Sequence, residues 1–236
     1  MTDLQDRYRG TLLGLAPGDA VGTTVEFSAP GSFPPVADLV GGGPFGLEPG
    51  QWTDDTSMAL CLAASLIECR GFDARDQMER YLRWHRDGYL SSTGRCFDIG
   101  NTVRTALHRF AQDPDKNPYA GSTDANSAGN GSLMRLAPVP LFYADDPAEA
   151  VRRAAESSRT THGARTAVDA CRYMAALIVG ALRGASKEDL LKGPFAPAGW
   201  DWSSEPLART LGWIGLPFAI RSNPWRIRCL HWHTRK

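Results

Sequence analysis

Met58, Ala59, Leu62, Ala63, Leu66 and Ile67 recur at the spacing that puts them on one face of a helix. The run begins at once after Gln51-Trp52-Thr53-Asp54-Asp55-Thr56. A chain with this stretch has to build a helix that buries one face and carries two adjacent carboxylates in its first turn, between two threonine hydroxyls. A helix start favours negative charge, so one plain reading makes Thr53 or Asp54 an ordinary N-cap. A cap needs one side chain, however, whereas this run brings several hard oxygen ligands to one helix end. Such a set suits Mg²⁺ or Mn²⁺ better than zinc or copper.

The remainder of the chain extends the helical pattern. Gln5 to Leu15 reads as a helix with Tyr8, Leu12 and Leu15 on one face, broken by Gly14, Pro17, Gly18 and Gly22. Pro30 to Gly50 is a long Gly- and Pro-rich loop, a kind of segment that is often functional. Helices are expected at about Arg75–Trp84 and at Asp98–Phe110, with a polar loop over Asp113–Ser127. A short helix is expected at Ser132–Ala137, ended by Pro138. Pro147 should start another, in the first-turn position where proline is favoured, and Gly163–Leu182 should form a long one. Ser186-Lys-Glu-Asp189 resembles a capping box. No strand alternation or internal repeat is evident, so the fold class is all-α, a compact multi-helix domain.

At 236 residues the chain can bury a sizeable core. No apolar run approaches a membrane span, and the polar start lacks the apolar core of a signal peptide. A cytoplasmic protein without membrane association is expected, and a monomer. The five cysteines are scattered without a CxxC pair, which speaks against a disulfide framework or a zinc site. Cys61 and Cys171 read as core residues.

Four further stretches can carry chemistry. Gly18-Asp19-Ala20-Val21-Gly22, with Glu26 beyond it, is either a helix-ending turn or a close backbone approach to a ligand. In Gly94-Arg95-Cys96-Phe97-Asp98-Ile99-Gly100-Asn101-Thr102, Asp98 is either a helix cap or a catalytic carboxylate. Asn126-Ser127-Ala128-Gly129-Asn130-Gly131-Ser132-Leu133-Met134-Arg135 is either a surface turn or a seat for phosphate oxygens on exposed N–H groups. It lacks the ending of a Walker loop. His162, in Thr160-Thr161-His162, is a structural hydrogen-bonder unless a partner equips it for acid–base work.

In this order the motifs resemble those of the ADP-ribosylglycohydrolase family, most of all its bacterial members of the dinitrogenase reductase-activating kind. The resemblance covers roughly residues 6–191. It implies an all-α fold with a binuclear Mg²⁺ or Mn²⁺ site that removes ADP-ribose from modified side chains, arginine foremost, or from small ADP-ribose conjugates. Thr53, Asp54 and Asp55 would be metal ligands. Glu26 would lie at the cleft as a water-mediated ligand or gate, and Asp98 near the attacking water or scissile ribose. The loop from Ser127 through Gly129, Asn130 and Gly131 to Ser132 would wrap the phosphates, with Met134 and Asn101 nearby. His162 would line the ribose or diphosphate region. The alternative is an ADP-ribose-binding module without catalysis.

The end of the chain departs from that pattern. The family carries an Asp-x-Asp-Thr element that completes the metal site, and no such element follows Leu191. From Leu207 onward there are six basic residues and no acid, which leaves the rest with 20 basic against 26 acidic residues, a net of −6. Five of the seven tryptophans lie beyond Gly199. Residues 1–192 are expected to form the helical domain and 193–236 a divergent, unstructured tail, arising from truncation or a shifted frame. A basic-aromatic tail for nucleic acid or an anionic membrane is the less favoured reading, because the tail lacks helical periodicity and its basic residues do not cluster. The expected consequence is an incomplete second metal site and weak or absent turnover.

Overall fold

The computed structural model describes residues 4–112 and 117–208. Of the basic, tryptophan-rich tail expected over 193–236, residues 193–208, with Trp200 and Trp202, are described, and the rest lies outside the described residues. Within them the chain is helical, with no strands beyond two isolated bridges, Gly42 with Leu47 and Ser122 with His162. The helices are α1 (Leu4–Gly22), α2 (Asp54–Glu68), α3 (Ala74–Asp87), α4 (Asn101–Gln112), α5 (Pro138–Phe142), α6 (Pro147–Arg159), α7 (Arg165–Leu182) and α8 (Lys187–Leu191). No helix is long and apolar enough to cross a membrane.

α2 is the wall shared by two cores. Met58 and Cys61 pack with Met78, Tyr81 and Trp84 of α3 and with Val103, Leu107 and Phe110 of α4. Leu62 and Leu66, on its other side, pack with Leu136, Val139 of α5, Ala154 of α6, and Cys171 and Ala175 of α7. A helix clamped on both sides cannot shift along its axis without breaking close packing, so its first turn is held in place from below.

Three boundaries differ from the sequence-based expectation. α1 does not end at Leu15 but runs through Pro17 to Gly22. Proline inside a helix removes one backbone bond and crowds the preceding turn. Here the last turn is fixed instead by tertiary contacts of Asp19, described below, which outweigh propensity. Pro138 starts a helix rather than ending one: it sits at the first positions of α5, where its missing N–H costs nothing, while residues 131–135 form turns. α4 starts at Asn101, three residues after Asp98. The remaining caps follow their chemistry. Asp73 accepts from the Arg75 and Asp76 amides, Asp146 from Glu149, and Ser186 from Asp189.

The Pro30–Gly50 loop lies against the end of α1. At Gly43 (φ 66°) a Cβ would come 2.4 Å from the Thr23 carbonyl oxygen, so only glycine permits that approach. The loop brings Phe45 between Phe27 and Phe97, with ring centroids 6.3 and 5.4 Å apart. These rings flank Glu26 and Asp98, their sequence neighbours.

Candidate active site

Thr53 occupies the N-cap position of α2, yet its side chain caps nothing. The cap comes from α1. The Asp19 carboxylate accepts from the Thr53 amide (3.0 Å) and hydroxyl (2.7 Å) and from the Thr56 amide (3.1 Å) and hydroxyl (2.7 Å). One acid thus satisfies four donors at a helix start whose own threonines are buried. With the capping work done by Asp19, the carboxylates of Asp54 and Asp55 are free for something else.

Burial first, then the charges of Asp55, Asp98 and Asp19, pushes the Asp54 carboxyl up to about 9. Burial, then Asp19 and Glu26, pushes Asp55 up to about 6. Asp98 is pushed up to about 7 by burial and then by Glu26, with which it is hydrogen-bonded. Burial likewise raises Glu26, which also accepts from the Thr23 hydroxyl at 3.4 Å. Five carboxylates therefore face one another, and no cation figures among the influences on any of these four raised groups. Asp98 has φ 57°, the left-handed region, which is rare outside glycine and often marks functional positions. It lies three residues before α4, and its side chain pairs with Glu26 rather than with the start of that helix.

The loop beyond Asp124 packs against the start of α4 and His162. A Cβ on Gly131 would sit 3.2 Å from Val103 Cγ2, in the first turn of α4, and 2.9 Å from His162 Cε1. A Cβ on Gly129 would lie 3.3 Å from His162 Nε2. The amides of Leu133 and Met134 donate to the Asn130 carbonyl, whereas among the described residues no acceptor serves the amides of Asn130, Gly131 and Ser132. His162 is buried, and its Nδ1 lies 2.9 Å from the Thr161 hydroxyl. Burial, then the nearby Arg135, depresses its pKa to about 3, so the ring is neutral. Replacing Gly131 with alanine is expected to displace the His162 ring and weaken ligand binding at least about tenfold. Calorimetry with ADP-ribose checks this.

Not every residue expected here presents its side chain to the site. The Ser132 hydroxyl pairs with Ser158 (2.8 Å) in the core. The Ser127 hydroxyl donates to the carbonyls of Ser122 and Asp124. Asn101 accepts from Arg104 (3.0 Å), and Met134 packs against the α2–α4 core. Sequence reasoning missed two residues. Asp19 was visible only as part of a glycine motif. Arg135 was visible only as the end of a loop.

The site's donors are hard oxygens without a neutralising cation, which fits a divalent metal. Among the described residues no three His, Cys, Asp or Glu side chains already converge as a formed metal-binding group. The fit therefore rests on donor chemistry and mutual repulsion rather than on a finished cage.

A model of the ADP-ribosylglycohydrolase family matches residues 1–223. The chain belongs to the ADP-ribosylglycohydrolase family. An ADP-ribosylarginine hydrolase Tri1 from Pseudomonas putida (strain GB-1) is 46% identical over 186 residues, covering 79% of this chain and 49% of that protein. The ADP-ribosyl-[dinitrogen reductase] glycohydrolase of Rhodospirillum rubrum is 35% identical over 173 residues, covering 71% and 55%. A solved structure described as an ADP-ribosylglycohydrolase-related protein complex aligns with a TM-score of 0.71 at 49% identity, covering 81% of this chain and 62% of that one. The chain spans about half the length of the curated relatives it matches. The all-α fold is thus that of an ADP-ribosylglycohydrolase, with Asp19 on α1, Asp54 and Asp55 on α2, Glu26 and Asp98 in the segments that follow α1 and precede α4, and the Gly129–Ser132 loop between α4 and α5.

Proposed function

We propose that this ADP-ribosylglycohydrolase acts on the glycosidic bond between ADP-ribose and a modified protein side chain, arginine in the first place, with Mg²⁺ or Mn²⁺ as cofactor. The observation that carries the reading is the uncompensated cluster of Asp19, Glu26, Asp54, Asp55 and Asp98, and a loop with unused amides packed on the start of α4 accompanies it. The names of the relatives supply the substrate class.

Thr53, Asp54 and Asp55 would hold the metal, with Glu26 at its edge. A divalent ion there would acidify a bound water and orient ribose hydroxyls. The residues of the chain do the rest. Cleavage at ribose C1 passes through an oxocarbenium-like state, and Asp98, with an affinity for protons matched to neutral pH, takes the proton of the attacking water or steadies positive charge at C1. The amides of Asn130, Gly131 and Ser132 donate to the diphosphate. Neutral His162 offers a ring N–H to the same region.

Incubation with an ADP-ribosylated arginine peptide tests the reading. Weak Mn²⁺-stimulated release of ADP-ribose is expected, in keeping with an incomplete second metal site, and reduced at least about 100-fold further in Asp55→Asn. Metal-dependent binding of ADP-ribose without release would instead mark a binding module, and no binding at all would remove the proposal.

A further inference from the structure

Arg135 is fully buried, and all its acceptors are neutral. Its Nη1 donates to the Gly131 carbonyl (3.1 Å), and its Nη2 to the Ser157 carbonyl (3.2 Å) and the hydroxyls of Thr160 (3.3 Å) and Thr161 (2.7 Å). The Tyr81 ring lies 4.6 Å from the guanidinium carbon, and Nε has no partner. The other two buried arginines are neutralised, Arg80 by Glu68 and Asp76, and Arg172 by Asp169 and Glu205. Among the described residues no carboxylate pairs with Arg135. An unpaired buried charge is costly, so the missing countercharge requires an explanation.

Two outputs leave the guanidinium. The first runs through a peptide group. In a trans peptide the C=O and N–H point in opposite directions, and the structure has no cis bonds. A cation on the Gly131 carbonyl therefore polarises the Ser132 N–H on the far side of the same peptide, a donor without an acceptor. The second runs through a hydroxyl. Arg135 can only donate, so the Thr161 oxygen receives its N–H, and among the described residues the hydroxyl's own proton has no acceptor other than His162 Nδ1, 2.9 Å away. Nδ1 is then an acceptor and the ring proton sits on Nε2. That nitrogen faces the Gly129 and Gly131 backbone.

We propose that Arg135 is a positioning residue that fixes His162 as the Nε2–H tautomer and strengthens the Ser132 amide, so that this corner recognises the negative charge of the ligand's diphosphate. The inference rests on the reading of the Gly129–Ser132 loop as the diphosphate seat. It also explains how a loop without an exposed lysine can hold an anion: the positive charge lies beneath the backbone and acts through it.

Calorimetry on the full chain, with ADP-ribose and with uncharged adenosine as probes, tests the proposal. Arg135→Met is expected to lose ADP-ribose affinity about tenfold or more, while adenosine affinity stays within about twofold. Arg135→Lys should keep the ratio between the two probes near that of wild type. Equal loss of both probes, or of neither, would overturn the proposal. The ¹⁵N shifts of His162 give a readout that general packing does not move. The Nε2–H tautomer is expected in the wild type and a mixture in Arg135→Met. An Nδ1–H tautomer in the wild type would sink the idea even if the methionine variant failed to fold. Wild-type protein that binds neither probe would overturn this inference and the functional reading together, whereas normal binding with unaltered variants would overturn the inference alone.

Discussion

Asp19→Ala is expected to lower the stability of the metal-free protein by about 3 kcal/mol, read as a drop of about 10 °C in midpoint temperature. The substitution strands the amides and hydroxyls of two buried threonines, which together make four hydrogen bonds to one carboxylate. There is an opposing effect, because Asp19 also contributes to the repulsion felt by Asp54, Asp55 and Asp98. Short contacts with buried donors outweigh a charge effect shared over several groups, so the net result is destabilising. The balance shifts with pH. Near pH 5 the cluster is largely protonated, little repulsion is relieved, and the loss is greatest. Thermal melts of both proteins at pH 5 and pH 8 decide it: an alanine variant as stable as the wild type at pH 5 would show that the Asp19 cap carries no weight.

The second large effect is a dependence of stability on pH that a metal should abolish. Asp54 and Asp55 bind protons more tightly folded than unfolded, with folded values of about 9 and about 6. Between the ordinary carboxylate range and those values the native state holds more protons than the unfolded state, so stability falls as pH rises. The metal-free protein is expected to melt about 5–10 °C lower at pH 9 than at pH 5. Mn²⁺ competes with those protons and should recover most of the difference at pH 8 while doing little at pH 5. Asp54→Asn should melt higher than the wild type at pH 8 without metal, and should lose its response to Mn²⁺. A flat profile for metal-free wild type would contradict the picture of carboxylates held together against their charge.

Much of this arrangement could be read from residue order. The apolar spacing after Asp54 and within residues 163–182, Pro147 at a helix start and the Ser186 capping box each act over one or two turns, and each gave its element. Glu26, Asp54, Asp55 and Asp98 were singled out separately and are found facing one another. What could not be read depends on partners distant in sequence. Pro17 and its flanking glycines read as a stop because nothing local shows that Asp19 will be pinned to Thr53. Asp98 read as a possible cap because the left-handed turn that separates it from α4 leaves no mark in composition. Arg135 read as part of a polar loop, since a guanidinium enclosed by Ser157, Thr160, Thr161 and Tyr81 becomes visible only when α3 and α6 have packed around it.

The borrowed cap also bears on how the molecule assembles. α2 has no side chain of its own that closes its first turn, and the group that does so stands 34 positions earlier in the chain. A peptide corresponding to α2 alone should fray at the end that matters, and a nascent chain cannot present Asp54 and Asp55 in register until that long segment has looped back, at a price in chain entropy. Affinity for cations should therefore arise late and abruptly in refolding, as one of the last events rather than as a seed for the others.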